Sequence, residues 1–388
     1  MKNEHGLSEE FSLLGGPLHR LGRRLGLVRE GTNTVALGLA LGVLPWVVLV
    51  VLAFIEGVSH QLFSVSLLGA HTRLLVVIPL FFLCESVLDP LLKVFVRTIV
   101  HSEVVPRNAL PALESEIARI NRWKDSWLAE AVCLLAAVLF SLLGPHLQLW
   151  GATAAVEPGR SAAEMLMSGQ WYWMVCLTLF RFLMFRWLWR LGLWCYFLWR
   201  VAKLELHLVP THPDGVAGLG YLEVVQTHFT TLILAISVIQ SASFAEEIVA
   251  GTMTFEAIYP ALALTLVLDA VLFLGPLFIF APRLWLCRVK GLSDYMTFAS
   301  HYVSGFDRKW LGARSAPKEP LLGTPDLQSL ADLANSIDIV RNMRVAPISL
   351  RLLTEMAIAA LLPMLPLLLL KYPVTELVEK FAAKLFGF

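Results

Sequence analysis

WYWMVCLTLFRFLMFRWLWRLGL, residues 171–193, is an apolar run with Arg181 at its middle. About 20 such residues cross a hydrocarbon core roughly 30 Å thick, so this stretch reads as a membrane-spanning helix. IYPALALTLVLDAVLFLGPLFIF, residues 258–280, is a second such run, and Asp269 stands at its middle. If both helices cross in the same direction, a rise of about 1.5 Å per residue puts both charges roughly 15–17 Å deep, at the midplane. A lone charge there is costly, so Arg181 and Asp269 are expected to be partners in an ion pair or parts of a polar pathway. The expected fold class is all-α, a polytopic membrane helix bundle.

Composition agrees. The chain is 57% hydrophobic and 16% charged, against about 25% charge in soluble proteins. The lipid bilayer is therefore the expected partner. Nucleic-acid binding has no support, and the net charge of +1 carries little information, because the distribution of Lys and Arg matters more than their sum. The cysteines (Cys84, Cys133, Cys176, Cys195, Cys287) are scattered singly without ligand spacing, so neither a disulfide nor a metal nor another cofactor is expected. The N-terminus is polar and amphipathic before the first long apolar run, which reads as a retained anchor rather than a cleaved signal.

Working outward, seven stretches can span: 34–55, 74–92, 128–149, 171–193, 222–244, 258–280 and 352–370. Lys and Arg concentrate before the first span, after the second and fourth, and between the sixth and seventh. That bias predicts a cytoplasmic N-terminus and an external C-terminus. The domains follow: a cytoplasmic amphipathic N-terminus (1–33), a six-span bundle (34–282) with a cytoplasmic helix at 106–127, a helical cytoplasmic subdomain (283–351), and a seventh span with an interfacial C-terminal helix (352–388). Residues 11–28 and 375–388 interleave apolar and charged positions and are expected to lie along headgroups. Helix 106–127 carries Leu113, Ile117, Ile120 and Trp123 at helical spacing, and Thr324 and Pro325 supply the N-cap and first position of a helix.

The charged positions set the functional expectation. Glu85 and Asp89 share one face by their i, i+4 spacing, as do Arg186 and Arg190, and His228 falls in the same half of the membrane. These five form a layer below Arg181 and Asp269. At 100° per residue Arg181 lies about 140° from Arg186 and about 180° from Arg190, so one helix cannot aim all three at one partner. The charges either fix the bundle as ion pairs or line an ion or proton path.

One loop is unusual. In PTHPDGVAGLGYL, residues 210–222, Asp214 and the glycines Gly215, Gly218 and Gly220 make tight turns whose amides could hold an anion, or could simply be capped by Asp214 with His212 packed beside it. No hydrolase, nucleotide or zinc motif accompanies it, so the protein is not expected to be an enzyme. A lipid-modifying role for His212 and Asp214 is the least favoured alternative.

The tracts HPDGVAGLGYL (212–222), FDRKW (306–310) and PDLQSLADLANS (325–336) resemble a family of uncharacterised bacterial polytopic membrane proteins. The resemblance implies a bacterial inner-membrane location and carries no activity and no site residue with it. The leading expectation is a channel or transporter for a small ion or solute. Its rival is a non-transporting scaffold or sensor that binds a cytoplasmic protein partner through residues 283–351. The small-residue stretch 36–42 could pack helices within one chain or between chains of a homo-oligomer.

Overall fold

The computed structural model describes residues 11–28, 33–62, 64–143, 166–312 and 324–371. In chain order the helices are α1 (Pro17–Arg24), α2 (Val35–Ile55), α3 (Leu68–His101), α4 (Leu110–Lys124), α5 (Trp127–Leu143), α6 (167–203), α7 (Tyr221–Val249), α8 (Ile258–Asp269), α9 (Ala281–Trp310), α10 (Pro325–Arg341) and α11 (Leu350–Lys371). The described residues are all-helical, with no strand among them. Within their described residues, all seven apolar stretches of the sequence are helical apart from Thr34 at the start of the first and Phe229 inside the fifth. The far end of the third (144–149) and the expected helix at 375–388 lie outside the described residues.

Among the described residues, five helical stretches are long and apolar enough to cross a membrane: α2, α3, α7, the run Phe255–Trp310 that contains α8 and α9, and α11. There are six if the α4–α5 pair, bent by 46°, forms one span. Helix α6 does not join them on composition, because Arg181, Arg186, Arg190 and its tryptophans dilute its apolar residues. Packing explains how it tolerates them. It runs through the bundle against α3, α4 and α5, with Trp194, Phe197 and Leu198 fully buried.

Small residues bring α2 and α3 together. Gly38 of α2 receives the Phe82 ring, and a Cβ at Gly42 would fall well inside contact distance of the Leu74 carbonyl. The 36–42 stretch thus packs within the chain. Gly42→Ala forces two backbones apart and is expected to cost about 1–3 kcal/mol, read as a fall in unfolding midpoint in detergent; an unchanged midpoint would contradict this close approach.

The N-terminal segment differs from expectation. Instead of lying along a surface, residues 11–18 insert between α3, α4, α5 and α6. Phe11 is fully buried and stacks on Phe197 at 4.3 Å. Lys124 Nζ donates to the Leu14 carbonyl (2.9 Å), and the Leu18 amide donates to Glu130 Oε2 (2.8 Å). Gly16, at φ 91°, lies so close to the Glu130 carboxylate that no Cβ fits. Bundle side chains satisfy this segment's backbone, which headgroup water would otherwise do.

Helix α4 buries Leu113, Ile117 and Ile120 as their spacing predicts. Helices α9 and α10 pack as a hairpin pinned at Asp326, which accepts from Lys309 Nζ (2.7 Å) and Trp310 Nε1 (3.1 Å). The Lys309 bond, then the Trp310 bond, hold the Asp326 carboxyl below its ordinary range.

Candidate functional site

Glu85 and Asp89 stand one turn apart on α3, and Arg186 and Arg190 one turn apart on α6. All four are at most 4% exposed, which makes every unpaired atom among them expensive. Glu85 Oε1 accepts from Arg186 Nη1 (2.7 Å) and pairs with Arg190 Nη1. Arg186 continues to Glu130 Oε1 of α5 (3.1 Å) and to the Gly15 carbonyl (3.3 Å). Asp89 accepts from the Ser12 hydroxyl and pairs with Lys93 Nζ at 3.0 Å. His19 of α1 sits near this cluster, and burial lowers its imidazole pKa, with Glu85 opposing the shift.

Between these groups lies a cavity of about 10 Å³, lined by Leu13, Leu14, Glu85, Leu88, Asp89, Leu92, Trp187 and Arg190. That is room for roughly one water. Its four polar lining residues all carry a buried atom without a hydrogen-bond partner: Glu85 Oε2, Asp89 Oδ2, Trp187 Nε1 and Arg190 Nη2. Asp89 Oδ2 has only its ion pair with Lys93, out of hydrogen-bond alignment. Two acceptors and two donors among its lining residues form a complement that a water, donating and accepting at once, would satisfy.

A second polar group lies about 18 Å away along α3. There Arg73 Nη1 donates to the Tyr172 hydroxyl (2.7 Å) and Nη2 to Ser243 Oγ (3.3 Å), while the Gly69 amide donates to Glu246 Oε1 (2.6 Å). Arg73 and Tyr172 sit on π-helical segments, Thr72–Val77 and Tyr172–Cys176, which widen their helices and re-aim these side chains. Between the two polar groups Phe81 of α3 meets Phe180 and Trp187 of α6, with centroids 6.3 and 6.4 Å apart. All three rings are at most 5% exposed.

No family model, curated protein or solved structure matches the chain. Its reading rests on the chemistry of these groups.

The remaining expected residues separate. Arg181 points away from Arg186 and Arg190, as helical geometry requires: its Nη1 donates to Ser141 Oγ (2.9 Å) and its guanidinium covers Phe140 and Trp173 at 5.1 and 5.6 Å. It does not pair with Asp269. Asp269 is 6% exposed and, among the described residues, has no ion pair and no hydrogen-bond partner for its Oδ2. Equal depth set the level of these two residues but not the faces they occupy. His228 turns its Nδ1 to the Val224 carbonyl (2.8 Å) on its own helix and stays out of the Glu85 cluster.

In the 210–222 loop the amides of Val216, Gly218 and Gly220 all donate to the Asp214 carboxylate at 2.7–3.0 Å, and His212 Nδ1 lies 2.9 Å from it. Arg344 ties the loop to the segment after α10 through the Asp214 carbonyl (3.2 Å) and Glu223 (2.8 Å). The amides are committed to Asp214, which makes the loop a structured cap rather than a set of open anion-binding amides.

Sequence reasoning missed Ser12, Glu130, Arg73, Tyr172 and Glu246. Arg73 carried a signal, a lone charge at the mouth of an apolar run. The others pair across elements, which spacing along one helix does not reveal.

Proposed function

We propose that the chain is an integral membrane channel or transporter for a small ion or solute, here in a closed state. In this reading it sits in a bacterial inner membrane with seven spans, α6 being the one enclosed by the others. The N-terminus and residues 283–351 are cytoplasmic and the C-terminus is external, so the Glu85 cavity is the inner chamber and the Arg73–Tyr172 group the outer one. The Phe81, Phe180 and Trp187 layer is the closed constriction between them, a hydrophobic barrier of the kind that gates by excluding water.

One observation carries the proposal: the four polar residues lining a single water-sized cavity each bring a buried polar atom without a hydrogen-bond partner. A dry lattice of ion pairs would satisfy its atoms within itself. The scaffold reading draws on a different fact, that Glu85, Asp89 and Glu130 are matched in charge by Arg186, Arg190 and Lys93.

Flux of ions and protons in liposomes holding the purified protein separates the two. The double variant Glu85→Gln/Arg190→Met removes two cavity charges without stranding either. Wild-type flux above protein-free liposomes, mostly lost in the double variant at matched incorporation, is the expected result. No flux under any ion gradient or voltage would favour the scaffold.

A further inference from the structure

Asp269 stands apart from the charged column, and its surroundings have a chemistry of their own. On α8, Leu264, Val267 and Leu268 are 52–59% exposed, whereas Thr265 and Asp269 are 8% and 6% exposed. Thr265 and Asp269 are one turn apart, so they share the inward face. Two polar rungs join that face to α7. Gln240 Nε2 donates to Thr265 Oγ1 (2.5 Å), and Gln226 Nε2 donates to the Phe273 carbonyl. Asp269 falls between these rungs in sequence and on the same side of the helix. The backbone immediately after it is irregular, a π-helical segment Ala270–Leu274 followed by a 3₁₀ segment Gly275–Phe280.

The partnerless atoms here differ in kind from those of the Glu85 cavity. They are Asp269 Oδ2 and Gln240 Oε1, both acceptors. Thr265 Oγ1 gives its proton to the Ala261 carbonyl (3.0 Å) and accepts from Gln240, so it too presents only oxygen lone pairs. No basic side chain among the described residues pairs with Asp269. A carboxylate and two neutral oxygens, with no donor on Asp269 Oδ2 or Gln240 Oε1 among the described residues, favour a cation as ligand. One carboxylate and neutral oxygens from an amide and a hydroxyl match a single positive charge; a divalent ion would call for more carboxylates.

We infer that Asp269, Thr265 and Gln240 form a binding site for a dehydrated monovalent cation between α7 and α8. The site is separate from the proposed conduit and is tested without reference to flux. Thermal unfolding of the full-length protein in detergent is measured in NaCl, in KCl and in N-methylglucamine chloride at equal ionic strength. Binding to the folded state alone should raise Tm by about 2–6 °C in Na⁺ or K⁺ over the organic cation. Asp269→Asn should abolish the difference while folding at least as well in the organic cation. Gln240→Leu, which keeps the carboxylate and removes one oxygen, should raise the half-saturating cation concentration about tenfold or more. Equal Tm values in all three salts for the wild type would overturn the inference. So would a cation-specific shift that survives Asp269→Asn. If Asp269→Asn fails to fold, Gln240→Leu decides, and an unchanged half-saturating concentration overturns the site.

Discussion

Glu85→Gln is expected to lower folded-state stability by about 3–5 kcal/mol, the range for stranding a charge in a buried pair. Glu85 is the only ion-pair partner that Arg190 has among the described residues, whereas Arg186 keeps Glu130. The amide leaves the Arg190 guanidinium buried with its charge uncompensated. Stacking on Trp187 at 5.7 Å offsets only part of that, since cation–π contacts contribute about 0.5–2 kcal/mol. Arg190→Met alone strands the carboxylate less severely, because Arg186 still donates to it. The double variant Glu85→Gln/Arg190→Met should recover more than half of the loss, with a coupling energy of about 1–3 kcal/mol in a double-mutant cycle. Equilibrium unfolding in detergent or bicelles measures all four proteins. Additive single effects would show that the two side chains do not depend on each other, against their direct pairing in the structure.

Much of this was legible in the chain before any coordinates. Apolar run length located the helices, because lipid demands it. The i, i+4 spacing put Glu85 with Asp89 and Arg186 with Arg190, and the angle from Arg181 sent that residue elsewhere, to Ser141 and two aromatic faces. Depth counting failed for Arg181 and Asp269, since level along the membrane normal says nothing about rotation about each helix axis. The inserted segment at 11–18 was hidden for another reason. Beside the Phe11 ring and the Ser12 hydroxyl, its contacts are made by backbone carbonyls and amides of Leu14, Gly15 and Leu18, and backbone groups leave no pattern in side-chain composition. The π-helical segments at Arg73 and Tyr172 were equally invisible, because one extra residue per turn does not change which residues are apolar.

The second large effect concerns the aromatic layer. Phe81 is the residue common to both ring contacts, with Phe180 and with Trp187, and it stands one turn from Glu85. If the two polar groups belong to one closed conduit, this ring fills the dry space that a permeating ion must cross. Phe81→Ala opens a cavity between the chambers, and each 1.4 kcal/mol taken from the barrier raises the rate about tenfold. The same truncation removes core packing at about 3–5 kcal/mol, so Phe81→Leu, which preserves most of the volume, serves as the milder variant. Flux should rise in the order wild type, Phe81→Leu, Phe81→Ala. A scaffold held by structural ion pairs would respond to these substitutions in stability alone.

Flux through liposomes carrying folded wild-type, Phe81→Leu and Phe81→Ala protein at matched incorporation is the most direct measurement of the central claim. The closed-conduit account predicts an increase of about tenfold or more for Phe81→Ala, with Phe81→Leu between it and the wild type. Equal flux from all three folded proteins, at the level of protein-free liposomes, would contradict it.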